Sequence, residues 1–382
     1  MTGLQKTYHI PLDEEKALIL NLEKRSDPEA ARIKRYLSMP DLSRTAGSPL
    51  YEIVEKVRSL PVLKDFDNIV IPEIISTDIL FDKFNFAPEH PARSKSDTYY
   101  VDEKNVLRTH DTVMWHYYLN LPEVVEKAKR KEPLGVVCYG KVYRKDEIDR
   151  RHMNIFHQFG ALYLVPDSEK MLSMEDLQGA LTSIVKAVFG DVNMRFVPET
   201  FPYTDPSIEI EIEVDGKWVE IVGSGMPKKG VLKDMGIEGY NGWAFGFGLE
   251  RLAIVSMDLP DIRLLWSDDE RVKKQLKLGT KFKEVSKFPP VVRDISFVVG
   301  SDFVLNDYFD KIRDIGGAQV EQVELIDKYE NKAKFGEGKT SYTFRITYRD
   351  LNKTLTNAEV NEMHAKVEEA TAKEFGGVIR LS

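Results

Sequence analysis

Cysteine and long apolar segments are what this sequence most clearly lacks. Its one cysteine, Cys138, excludes an intramolecular disulfide and a cysteine-rich metal site. No apolar run approaches the ~20 residues that a membrane-spanning helix needs, and residues 1–29 mix acids with bases, unlike a signal or transit peptide. We therefore expect no membrane span and a reducing, cytoplasmic location. A mature organellar form whose leader has been removed would have the same composition.

An excess of positive charge is absent as well. The chain has 54 lysines and arginines against 62 aspartates and glutamates, for a net charge of -8. This balance argues against a main role in non-specific binding to duplex nucleic acid. Two local basic clusters could still contact a large folded RNA, residues 127–131 (KAKRK) and 141–151 (KVYRKDEIDRR). The first is more typical of a solvated helix face, and the second is the better candidate.

The length of 382 residues predicts two or three folded units. Residues 1–60 are predicted to be a helical N-terminal segment, because apolar residues recur at helical spacing from residue 12. Pro28 divides that pattern into two helices. Residues 61–280 are expected to form the main domain. A proline-bearing linker (KEVSKFPP) then leads into a last unit, residues 284–382.

Strand and helix patterns both occur in the main domain, in separate runs. Residues 136–144 and 156–165 predict an antiparallel hairpin around a charged connection, and residues 174–189 predict a helix. Residues 208–214 and 217–222 predict another hairpin. This organisation is typical of an α+β fold with an antiparallel sheet. In the last unit the predicted order β-α-β-β-α-β is that of a ferredoxin-like fold.

The strongest local signal is residues 242–252 (GWAFGFGLERL). Glycines there would let the backbone approach a ligand, and Arg251 stands at the start of a predicted helix, where it could hold a phosphate. Taken alone, the pattern fits a tight strand-to-helix turn equally well. The other motifs of the chain decide between these interpretations.

Residues 242–251 resemble motif 3 of the class II aminoacyl-tRNA synthetases in its phenylalanyl form, GxAFGxGLER. Residues 140–158 (GKVYRKDEIDRRHMNIFHQ) are similar to motif 2 of that family, an arginine-bearing strand, a charged loop and HxxxFHQ. The sequence is identified as a member of the phenylalanyl-tRNA synthetase family, of the single-chain organellar type. Further matches, in family order, are HPAR at 90–93, DTYY at 97–100, LRTH at 107–110, FPYTDPS at 201–207, WVEIVGSGM at 218–226 and, at 286–297, SKFPPVVRDISF of the ferredoxin-fold anticodon-binding domain.

The resemblance implies an ATP-dependent, AMP-forming ligase. It would activate phenylalanine to an aminoacyl-adenylate and transfer the amino acid to tRNA(Phe), with ATP and Mg²⁺ as cofactors. The implied partners are tRNA(Phe), phenylalanine and ATP, and a monomer is favoured over a homodimer. Arg293, Arg345 and Arg349 of the last unit are candidates for contacts with tRNA.

The resemblance assigns three residues to catalysis. Arg144 of motif 2 would bridge the α-phosphate and the substrate carboxylate with its planar fork, a geometry that lysine lacks. His152 would reach the outer phosphates, while Arg251 would cover the adenine or the terminal phosphate. Phe156 would stack on the adenine, and Glu220 would hold Mg²⁺ through carboxylate oxygen. The residues expected at ATP are Arg144, His152, Phe156, Glu220, Gly246, Gly248 and Arg251.

Each of these assignments has a structural alternative. A phenylalanine after a strand is usually core, an arginine is usually at the surface, and Glu220 could be an exposed acid on an edge strand.

At the amino-acid end, Phe201 and Tyr203 would grip the substrate ring and Ala244 would border the pocket floor. His110 could be a core histidine bonded to backbone. The residues expected at the amino acid are His110, Thr112, Gln158, Phe201, Tyr203 and Ala244.

Three positions depart from the family pattern. Gly160 stands where FHQxE has an acid that helps to bind the substrate ammonium, so a contact worth roughly 1.5 to 3 kcal/mol is missing. Tyr203 replaces the second phenylalanine of FPF and brings a hydroxyl that needs a partner when buried. Asp111 replaces the hydroxyl residue after LRTH and could restore the missing negative charge.

Two alternative functions follow from these departures. The same fold could charge a different or modified amino acid, or the chain could be a catalytically silent paralogue that binds tRNA or an amino acid. Retention of the residues expected at the phosphates argues against the silent paralogue, because a mere binder has no need of them. These residues are Arg144, His152, Glu220 and Arg251.

Overall fold

The computed structural model describes residues 5–145 and 151–380. The chain divides into two compact units, Met1–Phe282 and Lys283–Ser382. The first unit includes the helices of the N-terminal segment together with the main sheet, so this segment is not a separate unit. Within the described residues, no helix is both long enough and apolar enough to cross a membrane.

The first unit is built on an eight-stranded sheet. The strands of the whole unit are β1 (Thr7–His9), β2 (Asp67–Val70), β3 (Ile74–Ser76), β4 (Asn105–Leu107), β5 (Leu134–Tyr143), β6 (Ile155–Pro166), β7 (Met194–Phe201), β8 (Thr204–Val214), β9 (Lys217–Pro227) and β10 (Tyr240–Gly248). The sheet order is β1-β2-β5-β6-β10-β9-β8-β7, while β3 and β4 form a two-stranded sheet. From β5 to β7 across the sheet all neighbours are antiparallel, which confirms the predicted fold class.

The helices of the first unit begin at recognisable local signals. Asp27 accepts a hydrogen bond from the Ala30 amide at the start of α2, with Pro28 in the first turn. Ser173 and Asp176 cap each other at the start of α7. The helices are α1 (Asp13–Glu23), α2 (Pro28–Ser38), α3 (Pro49–Arg58), α4 (Thr77–Leu80), α5 (Met114–Leu119), α6 (Pro122–Lys129), α7 (Met174–Phe189), α8 (Lys229–Asp234), α9 (Leu249–Met257) and α10 (Glu270–Lys273).

The main core of this unit packs the sheet against α5, α6 and α8. Val136 and Cys138 of β5 and Leu162 of β6 join Trp115 and Leu232 in one buried cluster. β5 is buried along almost its whole length. The strands that carry the motif residues are therefore held rigidly, which is what a precise binding site needs.

The N-terminal segment adds a strand as well as helices. β1 pairs in parallel with β2 at the edge of the sheet, and the sequence does not predict it because three residues have no readable period. Glu15 of α1 accepts a hydrogen bond of 2.9 Å from the Ile74 amide. The Tyr36 hydroxyl of α2 donates to Oδ1 of Asn154 at 3.0 Å, just before β6. The segment thus supports the elements around motif 2.

The second unit has the predicted ferredoxin-like fold. Its strands are β11 (Val291–Val299), β12 (Val320–Glu330), β13 (Thr340–Tyr348) and β14 (Val378–Ile379), and its helices are α11 (Leu305–Gly316), α12 (Lys332–Phe335) and α13 (Asn357–Lys373). The antiparallel sheet order is β12-β13-β11-β14. Phe297, Phe344 and Tyr308 centre a separate core, so this unit has apolar packing of its own. The short α12 was not predicted.

Candidate active site

Strand pairing brings the sequence motifs side by side. β6, which carries the end of motif 2, lies between β5 and β10, and β10 carries the start of motif 3. Gly246 is opposite Gly160, and Gly248 is opposite Gln158. On the other side of β10, Ala244 is opposite Gly225 of β9. Residues far apart in the chain therefore share one surface.

One cavity of about 630 Å³ lies over these strands, a size typical of sites for small-molecule ligands. All thirteen residues that the sequence predicts for ATP and amino-acid binding line it. They are His110, Thr112, Arg144, His152, Phe156, Gln158, Phe201, Tyr203, Glu220, Ala244, Gly246, Gly248 and Arg251. The structure thus brings the whole predicted set together, and their roles stay predictions.

Arg144 directly follows β5, and two of the contacts of its side chain help to hold it in place. Its Nε donates to the Thr109 carbonyl at 3.0 Å, and its guanidinium lies 5.2 Å from the centroid of the Phe156 ring. Phe156 therefore positions the arginine in addition to any contact with a nucleotide. His152 lies at the exposed side of the cavity, after residues 146–150, which are outside the described residues.

Arg251, in the first turn of α9, pairs with Glu220 of β9. Its Nη1 is 3.1 Å from Oε2 of Glu220. Glu209 of the adjacent β8 has a raised pKa, because of partial burial and then the charges of Glu220 and Glu199. This accumulation of negative charge would be relieved by a cation.

No cluster of three or more acidic, histidine or cysteine ligands occurs in the described part of the chain. Mg²⁺ at a nucleotide typically takes one or two carboxylates, with phosphate and water oxygens completing the shell. Glu220 lines the cavity and fits that requirement, and Glu209 of the adjacent strand lies within reach of the Glu220 charge.

Aromatic rings line the part of the cavity predicted for the amino acid. Phe201 and Tyr203 stack with centroids 6.0 Å apart and an interplanar angle of 14°. Tyr203 also stacks on His110 at 6.3 Å, and Trp115 meets Tyr203 edge-on at 5.7 Å. Burial, followed by the charge of Arg144, lowers the pKa of His110 to about 3. His110 is therefore a neutral part of this aromatic wall.

The unexpected hydroxyl of Tyr203 lies near the side chain of Thr112. Burial raises the pKa of Tyr203, while a side-chain hydrogen bond with Thr112 acts in the opposite direction. Thr112 therefore has a structural contact in addition to its predicted contact with the substrate. Gln158 is similarly engaged, because its Oε1 accepts a hydrogen bond of 3.0 Å from the Asp111 amide.

Asp111 is a buried acid in the wall of the cavity. The residue is 3% exposed, and burial, only partly opposed by Arg108 and Arg144, raises the pKa of its carboxyl to about 7. A Cβ on Gly160 would lie 2.8 Å from Cγ of Asp111. The carboxylate therefore lies directly over the glycine that breaks the family pattern.

A buried pair that the sequence interpretation missed joins motif 2 to motif 3. Nδ1 of His157 is 2.6 Å from Oε1 of Glu250, and the His157 amide donates to Oε2 at 2.8 Å. Nε2 of His157 accepts from the Leu42 amide at 2.9 Å, so the ring proton is on Nδ1 and is donated to Glu250. Both residues are within the matched strings FHQ and GLER, which was the available signal.

The second basic cluster is only partly available to RNA. Lys141 is buried, pairs with Glu73 at 3.3 Å and donates to the Met39 carbonyl at 2.9 Å. It is therefore a structural lysine, and its prediction as an RNA contact is wrong. The centre of that cluster, residues 146–150, lies outside the described residues. In the first cluster, Lys127 pairs with Asp67 at 3.2 Å.

The arginines suggested for tRNA are each held by a neighbour in the second unit. Arg345 pairs with Asp294 at 2.8 Å, and Arg349 pairs with Glu321 at 3.0 Å. Nη2 of Arg293 donates to the side chain of Asn357 at 2.8 Å. These contacts hold the three side chains against the surface of their own unit.

An antiparallel sheet that presents a motif 2 arginine, and a glycine-bearing strand that leads into a helix with a second arginine, define a class II aminoacyl-tRNA synthetase core. Residues 35–276 match the family described as tRNA synthetases class II core domain (F). Residues 286–380 match the ferredoxin-fold anticodon binding domain.

The particular family follows from the relatives. The chain is 38% identical over 318 residues to the chloroplastic/mitochondrial phenylalanine-tRNA ligase of Arabidopsis thaliana, which covers 80% of this chain and 71% of the relative. It is 35% identical over 381 residues to the mitochondrial phenylalanine-tRNA ligase of Mus musculus, which covers 86% of this chain and 80% of the relative. The chain belongs to the phenylalanine-tRNA ligase family, as its motifs predicted.

A solved structure aligns with part of this chain. Pyrrolysyl-tRNA synthetase from Desulfitobacterium hafniense aligns with 66% of this chain and 83% of its own, with a TM-score of 0.45 and 21% identity.

Proposed function

We propose that the cavity over β5, β6, β10 and β9 is where this chain joins phenylalanine to ATP and passes the phenylalanyl group to tRNA(Phe). The overall reaction follows from family membership: the chain is a ligase that aminoacylates tRNA(Phe) with phenylalanine. The observation that carries the assignment of the site is the convergence of all thirteen predicted residues on one cavity.

In the activation step the substrate carboxylate attacks the α-phosphate of ATP and pyrophosphate leaves. Charge develops on phosphoryl oxygens, so fixed cations and correct positioning matter more than a strong base. Arg144, which Thr109 and Phe156 hold in place, would bridge the carboxylate and the α-phosphate. His152 and Arg251 would bind the outer phosphates and the adenine side of the nucleotide.

Class II synthetases in general use ATP with Mg²⁺. When bound, the ion would neutralise phosphate charge, and Glu220 with Glu209 are the residues that would hold it. Gly248 lines the cavity at the end of β10, and the space beside it is open, which leaves room for a nucleotide. The adenine would lie close to Phe156 and Arg251.

The amino-acid end would recognise an aromatic side chain. Phe201 and Tyr203 offer a stacked pair against which a phenyl ring can pack, and Ala244 leaves room beside them. Thr112 lies close enough to the Tyr203 hydroxyl to act on its pKa, so the protein itself offers that hydroxyl a partner. This contact supports phenylalanine over a modified amino acid.

The second unit would bind tRNA(Phe) through its anticodon region, as its ferredoxin-fold family suggests. The relatives named above are mitochondrial or chloroplastic enzymes, while the cytoplasmic location and the monomeric state of this chain stay predictions. Sedimentation of the purified protein tests the second of these.

The test of the function is amino-acid-dependent exchange between ATP and pyrophosphate, followed by charging of tRNA(Phe). We expect exchange with phenylalanine and with no other standard amino acid, and loss of about 100-fold or more in Arg144→Ala. Arg32→Ala is the matched control, because Arg32 is an exposed arginine paired with Glu29 outside the cavity. Exchange with another amino acid alone, or none at all, would overturn the proposal.

A further inference from the structure

Asp111 carries a buried carboxyl group, one oxygen of which has no hydrogen-bond partner. Among the described residues it forms no ion pair within 4.0 Å, and its Oδ2 accepts no hydrogen bond. A buried carboxylate without a partner is costly, so such a group either takes up a proton or pairs with a cation that a ligand or metal supplies. The carboxylate lines the cavity, so a cationic group of a ligand can reach it.

Gly160 creates the space for this carboxylate, and Gly246 lies beside it. A Cβ on Gly160 would lie 2.8 Å from Cγ of Asp111, and a Cβ on Gly246 would lie 3.4 Å from Oδ1. Gly160 and Gly246 face each other across β6 and β10. The Asp111 amide donates a hydrogen bond to Oε1 of Gln158, which belongs to β6, as Gly160 does. The carboxylate therefore has a defined place over the sheet.

The neighbours of Asp111 indicate which cation it meets. Arg144 and Tyr203 are both within electrostatic range of its carboxylate. An α-amino acid carries its ammonium one carbon away from its carboxylate. If Arg144 holds the carboxylate, the acid that receives the ammonium must lie close to Arg144. Asp111 meets this condition, because it lines the same cavity as Arg144 and its carboxyl is within reach of the Arg144 charge.

The other acids that line the cavity are less suitable. Glu220 is paired with Arg251 at 3.1 Å, and Glu250 is bonded to His157 at 2.6 Å. Asp97 is only half-buried, so water compensates its charge. Asp111 is the acid among them that combines burial with an unpaired oxygen.

We propose that Asp111 binds the α-ammonium group of the substrate amino acid and so selects amino acids over carboxylic acids of the same shape. The proposal rests on the proposed function, because it takes the phenylalanine site as given. A substrate analogue without the amino group would lose its contact with the Asp111 carboxyl, which is the basis for discrimination.

The test compares phenylalanine with 3-phenylpropanoate, which lacks the amino group. Affinities for wild type and Asp111→Asn are measured as KM in the exchange reaction and as the inhibition constant of the analogue. We expect Asp111→Asn to raise the KM for phenylalanine about 10- to 100-fold. The inhibition constant of 3-phenylpropanoate should stay within about 3-fold or fall, because the analogue never used the charge.

The matched control is Asp234→Asn, which removes the same charge from an exposed position in the same unit. Equal weakening of phenylalanine and analogue in Asp111→Asn, or an unchanged KM for phenylalanine, would overturn the proposal. The proposed function fails separately, and visibly, if wild-type protein shows no exchange with phenylalanine.

A relocated carboxylate provides a second test that does not depend on one variant folding well. Because position 160 faces the Asp111 carboxylate, Asp111→Ser combined with Gly160→Glu moves the negative charge across to β6. We expect this pair to recover at least about 10-fold in KM for phenylalanine over Asp111→Ser alone. A folded double variant without recovery would count against a role for the charge.

Discussion

Nη1 of Arg251 is 3.1 Å from the carboxylate of Glu220 and also donates to the Glu220 carbonyl. The two side chains are 43% and 48% exposed, so the ion pair contributes at most about 1 kcal/mol to stability. The proposed function gives each residue a different target on ATP, a phosphate or adenine for Arg251 and the Mg²⁺ for Glu220. We therefore expect the ion pair between Arg251 and Glu220 to break when the nucleotide binds.

Arg251→Ala and Glu220→Gln should each lower ATP-pyrophosphate exchange by about 100-fold, while the melting temperature stays nearly unchanged. The KM for ATP should rise more than that for phenylalanine, and Glu220→Gln should also need more Mg²⁺ for half-maximal exchange. Steady-state kinetics with an Mg²⁺ titration checks this. If the double variant were as active as wild type, the two residues would matter only to each other.

The second prediction concerns the buried contact between His157 and Glu250. Glu250→Ala would leave the His157 amide and Nδ1 without an acceptor inside the protein. We expect it to destabilise the first unit by about 2 to 4 kcal/mol and to reduce exchange, because β6 and α9 both carry site residues. Tryptophan fluorescence measures this unit alone, since Trp115, Trp218, Trp243 and Trp266 all lie in it.

Glu250→Gln serves as the matched variant for that measurement. It retains an oxygen that can accept from one of the two donors, so it should lose less stability than Glu250→Ala. Equal stability of wild type and Glu250→Ala would show that the pair does not connect the two motifs energetically.

Asp111 should make the stability of the substrate-free protein depend on pH. Its pKa is about 7 in the folded state, against an ordinary value of 3.8, so the folded state holds the proton more tightly than the unfolded state. Below about pH 4 the Asp111 carboxyl does not lower the free energy of unfolding. As the pH rises towards 7 it lowers that free energy progressively, and above pH 7 the loss is constant. The upper bound of this loss is roughly 4 kcal/mol.

The measurement is the difference in melting temperature between Asp111→Asn and wild type from pH 5 to pH 8. We expect the asparagine variant to gain stability relative to wild type as the pH rises through this range, while other titrating groups cancel in the difference. The charged and titratable groups around the carboxyl are Arg108, Arg144, Cys138 and Tyr203. A difference that does not change with pH would contradict a raised pKa for Asp111.

Tyr203 allows the ring and the hydroxyl to be tested separately. Tyr203→Phe keeps the stack with Phe201 and loses only the contact with Thr112, so the KM for phenylalanine should change by less than about 3-fold. Tyr203→Ala removes the ring, and the KM should rise at least about 10-fold. Exchange kinetics checks both. A large effect of Tyr203→Phe would assign the hydroxyl to the substrate instead.

Local patterns predicted the elements that carry the site. The helix at residues 174–189 has the predicted bounds, because it has a regular apolar face and a capping pair at its start. The hairpin of β5 and β6 was also predicted, since apolar strands flank a charged connection. The three-residue β1 and its parallel pairing were not, because neither has a local signal.

For side chains, the sequence identified which residues lie at the site, but it did not show which groups surround them. Lys141 appeared to belong to a basic surface cluster, yet its ammonium is buried against Glu73 and main-chain carbonyls. The glutamate of GLER was not singled out, although Glu250 is the partner of His157. A charged residue looks the same in a sequence whether its partner is water or a buried group.

The sequence by itself determined the family, the order of the elements and the set of residues at the site, because motifs and periodicity are properties of neighbouring residues. The tertiary structure alone decided that Asp111 lies over Gly160, that Arg251 meets Glu220 and that Tyr203 contacts Thr112. Those contacts depend on strand register and on the placement of segments that are distant in the chain. The energies that follow, burial of a charge and pairing of opposite charges, depend on distances in space that sequence spacing does not specify.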